Sequence, residues 1–287
     1  MTQQAVNLCR ARRLRLAVSI AVLAVAVAAV SSAFASSSRR ARVAKTAAVR
    51  PTIVLVHGAW ANPGSWTPVI QRLQAKGYTV IAPPNPNVGL QHDALAIRGV
   101  LESIKGPIVL VGHSYGGAVI TNAAYGVRNV KALVYADAFA PAQGETILKL
   151  DTSKPGSILD GNPKTTFTSV SFPGVPKGVS DLYIQLPSFL KGFANGLPRK
   201  EALIAYSEQA PFLSSVLNDK SGPPAWKTVP SWYILGTKDR AIPPAVELFM
   251  AKRIHAHITR VPTGHLPMVA DPGAVTNVIL QAAHSVG

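Results

Sequence analysis

From residue 51 onward the chain alternates two hydrophobic patterns. Short unbroken runs rich in Val, Ile, Leu and Ala, bounded by Gly, Pro or Asn, suit strands buried on both faces. Longer stretches with apolar residues three and four positions apart suit helices that cover one face. The short runs predict strands at 52–56, 78–82, 108–111, 130–135, 231–235 and 257–261, and the longer stretches predict helices at 67–76, 93–104, 117–125, 244–254 and 272–283. Alternation of this kind implies an α/β architecture, a mostly parallel sheet of six strands with helices on both faces. Between 139 and 230 the rhythm breaks: ten of the 23 prolines lie within 151–230, and the patterns at 181–190 and 199–209 support only short helices. A segment inserted there, between two strands of one sheet, is expected to form a helical lid over the carboxyl edge, where open α/β sheets place their ligand crevice.

The first fifty residues follow neither pattern. Arg10, Arg12, Arg13 and Arg15 precede an apolar run from 16 to 30, and Ala33 and Ala35 follow in A-x-A spacing. This is the layout of a secretory signal peptide at 1–35, cleaved after Ala35. The run, about fifteen residues, is short for a bilayer span. No stable membrane anchor is therefore expected after cleavage, a retained anchor being the alternative, and the paired Arg12 and Arg13 leave the export route open. Cys9 precedes the apolar run, so it does not mark a lipoprotein; it is also the only cysteine, and a mature chain without it has no disulfide, thiol nucleophile or thiolate metal site. Residues 36–50 read as a basic flexible linker and 51–287 as one domain, secreted or held in the periplasm or cell envelope.

Charge changes the picture less than its total suggests. The formal net charge is +16, but residues 1–50 hold nine basic and no acidic side chains, which leaves 29 − 9 = 20 basic against 13 acidic from residue 51, or +7. No basic helix carries interleaved aromatics, so a nucleic-acid partner is not expected.

Chemistry enters at the strand ends. Val111-Gly-His-Ser-Tyr-Gly-Gly-Ala118 places Ser114 between Gly112 and Gly116, after a buried strand and before a helix. A turn that tight pushes its central residue towards positive φ, and side chains at the flanking positions would collide with the neighbouring strand and helix. The serine hydroxyl is thereby lifted into the open, the context a nucleophile elbow requires. A serine needs a base, and the base an orienting acceptor. His265, in a Thr263-Gly-His loop after the last strand, is the expected base; His113 beside the nucleophile is expected to point away, and His57 reads as a structural histidine. Asp239, after the strand at 231–235, is the expected acid, with Asp137 as its rival at the end of the preceding strand and Asp271 as a helix cap. Developing oxyanion charge needs donors, which the backbone N–H groups of Tyr115 and Ala59 can supply. Trp60 is a candidate pocket residue, and no metal or cofactor is expected.

The motifs HGAW at 57–60, GHSYGGAVI at 112–120, the Gly-Thr-Lys-Asp239 strand end and the Gly-His265 loop resemble the α/β-hydrolase superfamily over nearly all of 51–287. HGAW with a second tryptophan at Trp66, GHSYGG and ADAFAP are similar to the branch of small bacterial esterase-like hydrolases related to plant methylesterases and hydroxynitrile lyases. The resemblance implies an α/β-hydrolase fold without the family's usual first two strands. It also implies a Ser114–Asp239–His265 triad with Ala59 and Tyr115 as oxyanion donors. Plant-type lyases carry a lysine after the catalytic histidine and a threonine at the position of Gly58; Leu266 and Gly58 stand here, which removes the cationic partner for cyanide. Relatives with an aspartate nucleophile are excluded by Ser114. Where many bacterial relatives read Phe-Ala-Pro-Asp-Glu-Gly, this chain has Ala142 and Gln143 in place of the two acids.

The function expected is that of an exported carboxylesterase-like serine hydrolase, cleaving small apolar carboxylic esters through an acyl-enzyme in a pocket whose polar groups cluster at the triad. The alternative is a triad-bearing ligand-binding or receptor-like protein with little turnover; acyl transfer and lyase chemistry come behind. The oligomeric state is left open.

Overall fold

A computed structural model describes residues 49–286, so the leader at 1–35, Cys9 and nearly all of the linker lie outside the described residues. The chain order is β1 (Thr52–Val56), α1 (Thr67–Ala75), β2 (Val80–Ile81), α2 (Leu90–Ser103), β3 (Ile108–Ser114), α3 (Tyr115–Ala123) and β4 (Val130–Ala138). After the insertion come β8 (Ser231–Gly236), α5 (Pro244–Arg253), β9 (His257–Val261) and α6 (Pro272–His284). Strands β1 to β4, β8 and β9 form one six-stranded sheet in the order β2-β1-β3-β4-β8-β9, with every neighbouring pair parallel. Every residue of β3 and β8 is buried, and in β4 only Lys131 is exposed. Strands apolar at consecutive positions cannot show either face to water, so helices must cover both sides; α1 packs with α6 and α2 with α3.

Sheet order positions the crevice. The chain builds β2 on one side of β1 and then crosses to start β3 on the other. The loops leaving β1 and β3 therefore part in opposite directions at adjacent carboxyl ends, the usual place for a ligand site. Expected and observed elements differ there by a few residues: β3 runs on through Ser114, and α3 begins at Tyr115.

The segment between β4 and β8 is not simply helical. It carries the short helix Ile147–Asp151 and α4 (Arg199–Ser207), but also β5 (Phe167–Val170), β6 (Asp181–Ile184) and β7 (Phe212–Leu213), an antiparallel sheet in the order β5-β6-β7. The helical pattern read at 181–190 is a strand followed by a π-helical turn at Phe189–Phe193. In β6 the residues alternate, with Leu182 and Ile184 buried. Four residues of alternation are too few to tell one period from the other in sequence, and pairing with β5 and β7 decides it.

Candidate active site

Ser114 is the last residue of β3, immediately before α3, at φ 53° and ψ −124°. Its flanking glycines are required by contact. A Cβ on Gly112 would lie 2.5 Å from the Gly116 carbonyl oxygen, and one on Gly116 would lie 2.6 Å from that of Val56. Such contacts are far inside van der Waals separation, so the strand, the elbow and β1 could not pack as they do. Gly58 is under the same constraint, since its Cβ would lie 2.6 Å from that of Ser114. The loop after β1 thus lies directly against the serine.

Three of the expected side chains meet. Ser114 Oγ is 2.9 Å from His265 Nε2, and His265 Nδ1 is 2.6 Å from Asp239 Oδ2. The other oxygen of Asp239 accepts the backbone N–H groups of Ala241 at 2.6 Å and Ile242 at 3.0 Å. A carboxylate held by three donors keeps one orientation, which fixes the imidazole with Nδ1 as donor and Nε2 as acceptor towards the serine. His265 and Asp239 are both buried, so water does not compete for these bonds. Ala59, Tyr115 and Trp60 border the same small cavity as Ser114 and His265. The backbone N–H of Tyr115 also opens α3, where orphan donors and the helix dipole favour negative charge.

Asp137 does not reach His265. It sits at φ 42° where the register of β3 and β4 shifts, so that Ser114 pairs with Ala138 and Asp137 is bulged. The bulge turns its Oδ1 onto the Gly236 N–H. Gly236 leaves room for the carboxyl, because a Cβ there would lie 2.6 Å from Oδ2. Asp137, Asp239 and Glu247 bring oxygens within 4.8 Å of one another, all buried. Burial, reinforced by the charge of Asp239, pushes the Asp137 carboxyl well above its usual range; burial and the charges of Asp137 and Asp239 do the same to Glu247. The acid that touches the histidine is therefore backed by two buried carboxyls whose ionisation is disfavoured.

His113 departs from its expected role as a bystander. Its Nε2 donates to the backbone carbonyl of His265 at 2.7 Å, and the two rings lie 4.7 Å apart. Burial holds its pKa well below the usual value, with the proximity of His265 adding to the effect. A neutral His113 thus pins the main chain of the residue whose ring faces Ser114. Its position beside Ser114 was visible in sequence, but its partner lies 152 residues away. His57 is a satisfied structural histidine: Nδ1 donates to the Gly58 carbonyl and Nε2 accepts the Asn85 N–H, both at 2.9 Å. Asp271 caps α6 through the Ala274 N–H. Tyr115 OH donates to buried Asp93 on α2 at 2.7 Å, tying the elbow helix to its neighbour.

The insertion closes over this centre. The Phe193 ring meets that of His265 at 5.1 Å, and Phe212 meets Tyr115 at the same distance. Trp60 packs among Phe167, Phe193 and Phe212, and its Nε1 donates to the Leu182 carbonyl on β6. Hydrogen bonds fasten the insertion to the Asp239 loop: Ile158 N–H donates to the Arg240 carbonyl, and the Asn195 side chain to that of Lys238. Gly264 permits the second approach, since a Cβ there would stand 2.2 Å from the Asn195 carbonyl oxygen. The cavity left at Ser114 is about 30 Å³, room for one or two waters. A larger hollow of about 270 Å³ is lined by Trp60 and Phe193 among others, and Trp60 lines both. The cavity wall is not wholly apolar away from the triad, because Asp151 also lines it. The earlier expectation of polar groups only at the triad end does not hold.

A family model described as the alpha/beta hydrolase family matches residues 53–278. The alpha/beta hydrolase nvfD of Aspergillus novofumigatus is 27% identical over 259 residues, covering 82% of this chain and 97% of that protein. The pyrethroid hydrolase of Sphingobium wenxiniae is 26% identical over 253 residues, covering 80% of this chain and 87% of that protein. Among solved structures, polyneuridine aldehyde esterase superposes with a TM-score of 0.68 at 18% identity, over 81% of this chain and 98% of that one. Likeness at that identity speaks for the fold alone.

Proposed function

The chain belongs to the alpha/beta hydrolase family, and from that premise we propose that it is an exported serine hydrolase that cleaves small carboxylic esters through an acyl-enzyme. The observation that carries the reading is the continuous line of contacts from Ser114 Oγ to His265 to Asp239, at 2.9 and 2.6 Å. The ester-cleaving names of relatives such as the pyrethroid hydrolase lend support.

In this mechanism His265 Nε2 takes the Ser114 proton as Oγ attacks the ester carbonyl. Asp239 balances the imidazolium, and the backbone N–H groups of Ala59 and Tyr115 receive the oxyanion. The tetrahedral intermediate collapses as His265 protonates the departing alkoxide. Water then repeats the sequence on the acyl-serine, giving the acid and restoring the hydroxyl. The cavity at Ser114 as it stands is smaller than an ester, and displacement of Trp60, which lines both hollows, would join it to the larger one and admit compact substrates. We expect kcat/KM to rise from acetyl to about butyryl or hexanoyl esters and then fall, each buried methylene contributing at most about 0.8 kcal/mol, without activation at an oil interface.

The test is covalent. A fluorophosphonate labels Ser114 in the wild type and leaves Ser114→Ala unlabelled; labelling that persists in the variant moves the nucleophile elsewhere. Export is tested by N-terminal sequencing of the secreted protein, which should begin at Ser36 and not at Met1. The second reading, ligand binding without turnover, draws on the tightness of the cavity. It gains if no p-nitrophenyl ester of any chain length is cleaved while a small ligand still binds.

A further inference from the structure

Asp151 takes no part in the mechanism above, yet it lines the cavity that holds Ser114 and His265 and is fully buried. It ends the short helix Ile147–Asp151 at the start of the insertion. Its neighbour Ser157 bears on its protonation. Ser157 Oγ accepts the Leu159 N–H at 2.9 Å and lies against two oxygens, the Ala241 carbonyl at 2.9 Å and Asp151 Oδ2. A hydroxyl carries one proton and cannot donate fully to both. Both contacts are satisfied when the Asp151 carboxyl itself holds a proton. Electrostatics favour the protonated state: burial pushes the Asp151 carboxyl up to about 8, a bond donated by Ser157 opposes the rise, and the charges of Asp239 and Asp160 add to it.

Oδ1 of a neutral Asp151 is a carbonyl-like acceptor, and it has no hydrogen-bond partner among the described residues. Around it the cavity wall is apolar, with Phe139, Ile147, Ile158 and Leu217 among the lining residues. Ser157 is clamped between the insertion and the Asp239 loop, so the carboxyl cannot turn away without breaking its own bond.

We propose that Asp151 selects substrate: the site favours esters whose buried portion carries a hydrogen-bond donor, a hydroxyl above all, received by Asp151 Oδ1. This deepens the ester-hydrolase reading and rests on it. A plain alkyl chain leaves Oδ1 dry and unpaired, whereas a hydroxyl on the same chain restores its bond, and discrimination by an unpaired buried group exceeds what methylene packing achieves.

The experiment compares p-nitrophenyl butyrate with its 2-hydroxy and 3-hydroxy counterparts on the wild type, Asp151→Leu and Asp151→Asn. The wild type should prefer one hydroxylated ester over butyrate by about tenfold or more in kcat/KM. Asp151→Leu should abolish the preference. Asp151→Asn, whose amide can donate to Ser157 and keep a carbonyl towards the cavity, should retain it. Equal handling of all three esters by the wild type, or a preference that survives Asp151→Leu, overturns the proposal; the wild-type result decides alone if the leucine variant does not fold. If no ester is turned over, the hydrolase reading fails on its own account. The melting shifts of Ser114→Ala with methyl butyrate and methyl 3-hydroxybutyrate then judge the site: a larger shift with the hydroxylated ester, lost when Asp151→Leu is added, sustains it, and equal shifts overturn it.

Discussion

The sheet edge and the insertion hold the same small cavity between them, but by different means. At the edge, Ser114, Asp239 and His265 stand at or just beyond the ends of β3, β8 and β9, and each is held by backbone that cannot move without disturbing the sheet. On the insertion side, Phe193, Phe212 and Asp151 are held by side-chain packing and by scattered bonds to the loops they cover. A centre that transfers protons tolerates misplacement of only a fraction of an ångström, and a sheet supplies that rigidity. A substrate must enter, and the side that admits it is the side built from short elements.

The largest effects are expected where the edge itself is altered. Asp239→Asn should lower kcat by roughly 10²–10⁴-fold, since the amide no longer stabilises the imidazolium and can present the wrong atom to Nδ1. Asp137→Asn should cost less than about tenfold, because that carboxyl is turned onto the Gly236 N–H and not onto His265. Steady-state kinetics on both variants check the ranking, and the reverse order would transfer the acid role to β4. One step smaller is Gly264→Ala, where a methyl group must push the base loop and the Asn195 turn apart. It should lower kcat/KM by about 10- to 100-fold while fluorophosphonate labelling persists at a reduced rate. Loss of folded protein instead would show that the contact belongs to the core.

A change confined to the insertion should move selectivity more than rate. Phe193→Ala removes a ring that lines the larger hollow and meets His265 and should shift the optimum acyl chain upward by about two to four carbons, with a stability cost of roughly 3–5 kcal/mol measured by denaturant unfolding. An unchanged optimum would mean that Phe193 packs without shaping the pocket. The smallest effect is expected behind the acid. Glu247 keeps its proton in the folded state at pH values where the unfolded chain has lost it, so its contribution is full below the unfolded value and falls as pH rises towards the folded one. Glu247→Gln removes that slope. The melting temperature of the variant relative to wild type should therefore climb by a few degrees, about 2–4 °C per kcal/mol gained, between pH 4 and pH 8. A constant difference across that range would mean that Glu247 is ionised in both states.

Legibility in sequence followed the same division. Strands such as 108–111 and 130–135 announced themselves because both their faces are buried, and the glycines around Ser114 because no other residue fits. The insertion offered no such constraint. The stretch 181–190 carries apolar residues compatible with either period, and β6 became a strand only because β5 and β7 lie beside it. Asp151 carried no signal at all, as an acid after Leu148-Lys-Leu150 looks like an ordinary surface residue.

Local rules thus determined the elbow and the succession of strands and helices along the chain, because each depends on steric demands and hydrophobic patterns acting within a few positions of the chain. Tertiary structure alone decided which acid faces His265, since the bulge at Asp137 and the N–H groups of Ala241 and Ile242 are set by neighbours across β4 and β8. It also decided that His113 holds the His265 main chain and that a neutral Asp151 looks into the cavity. Burial and hydrogen-bond partners are supplied by segments distant in sequence, and it is they that fix a group's charge and orientation.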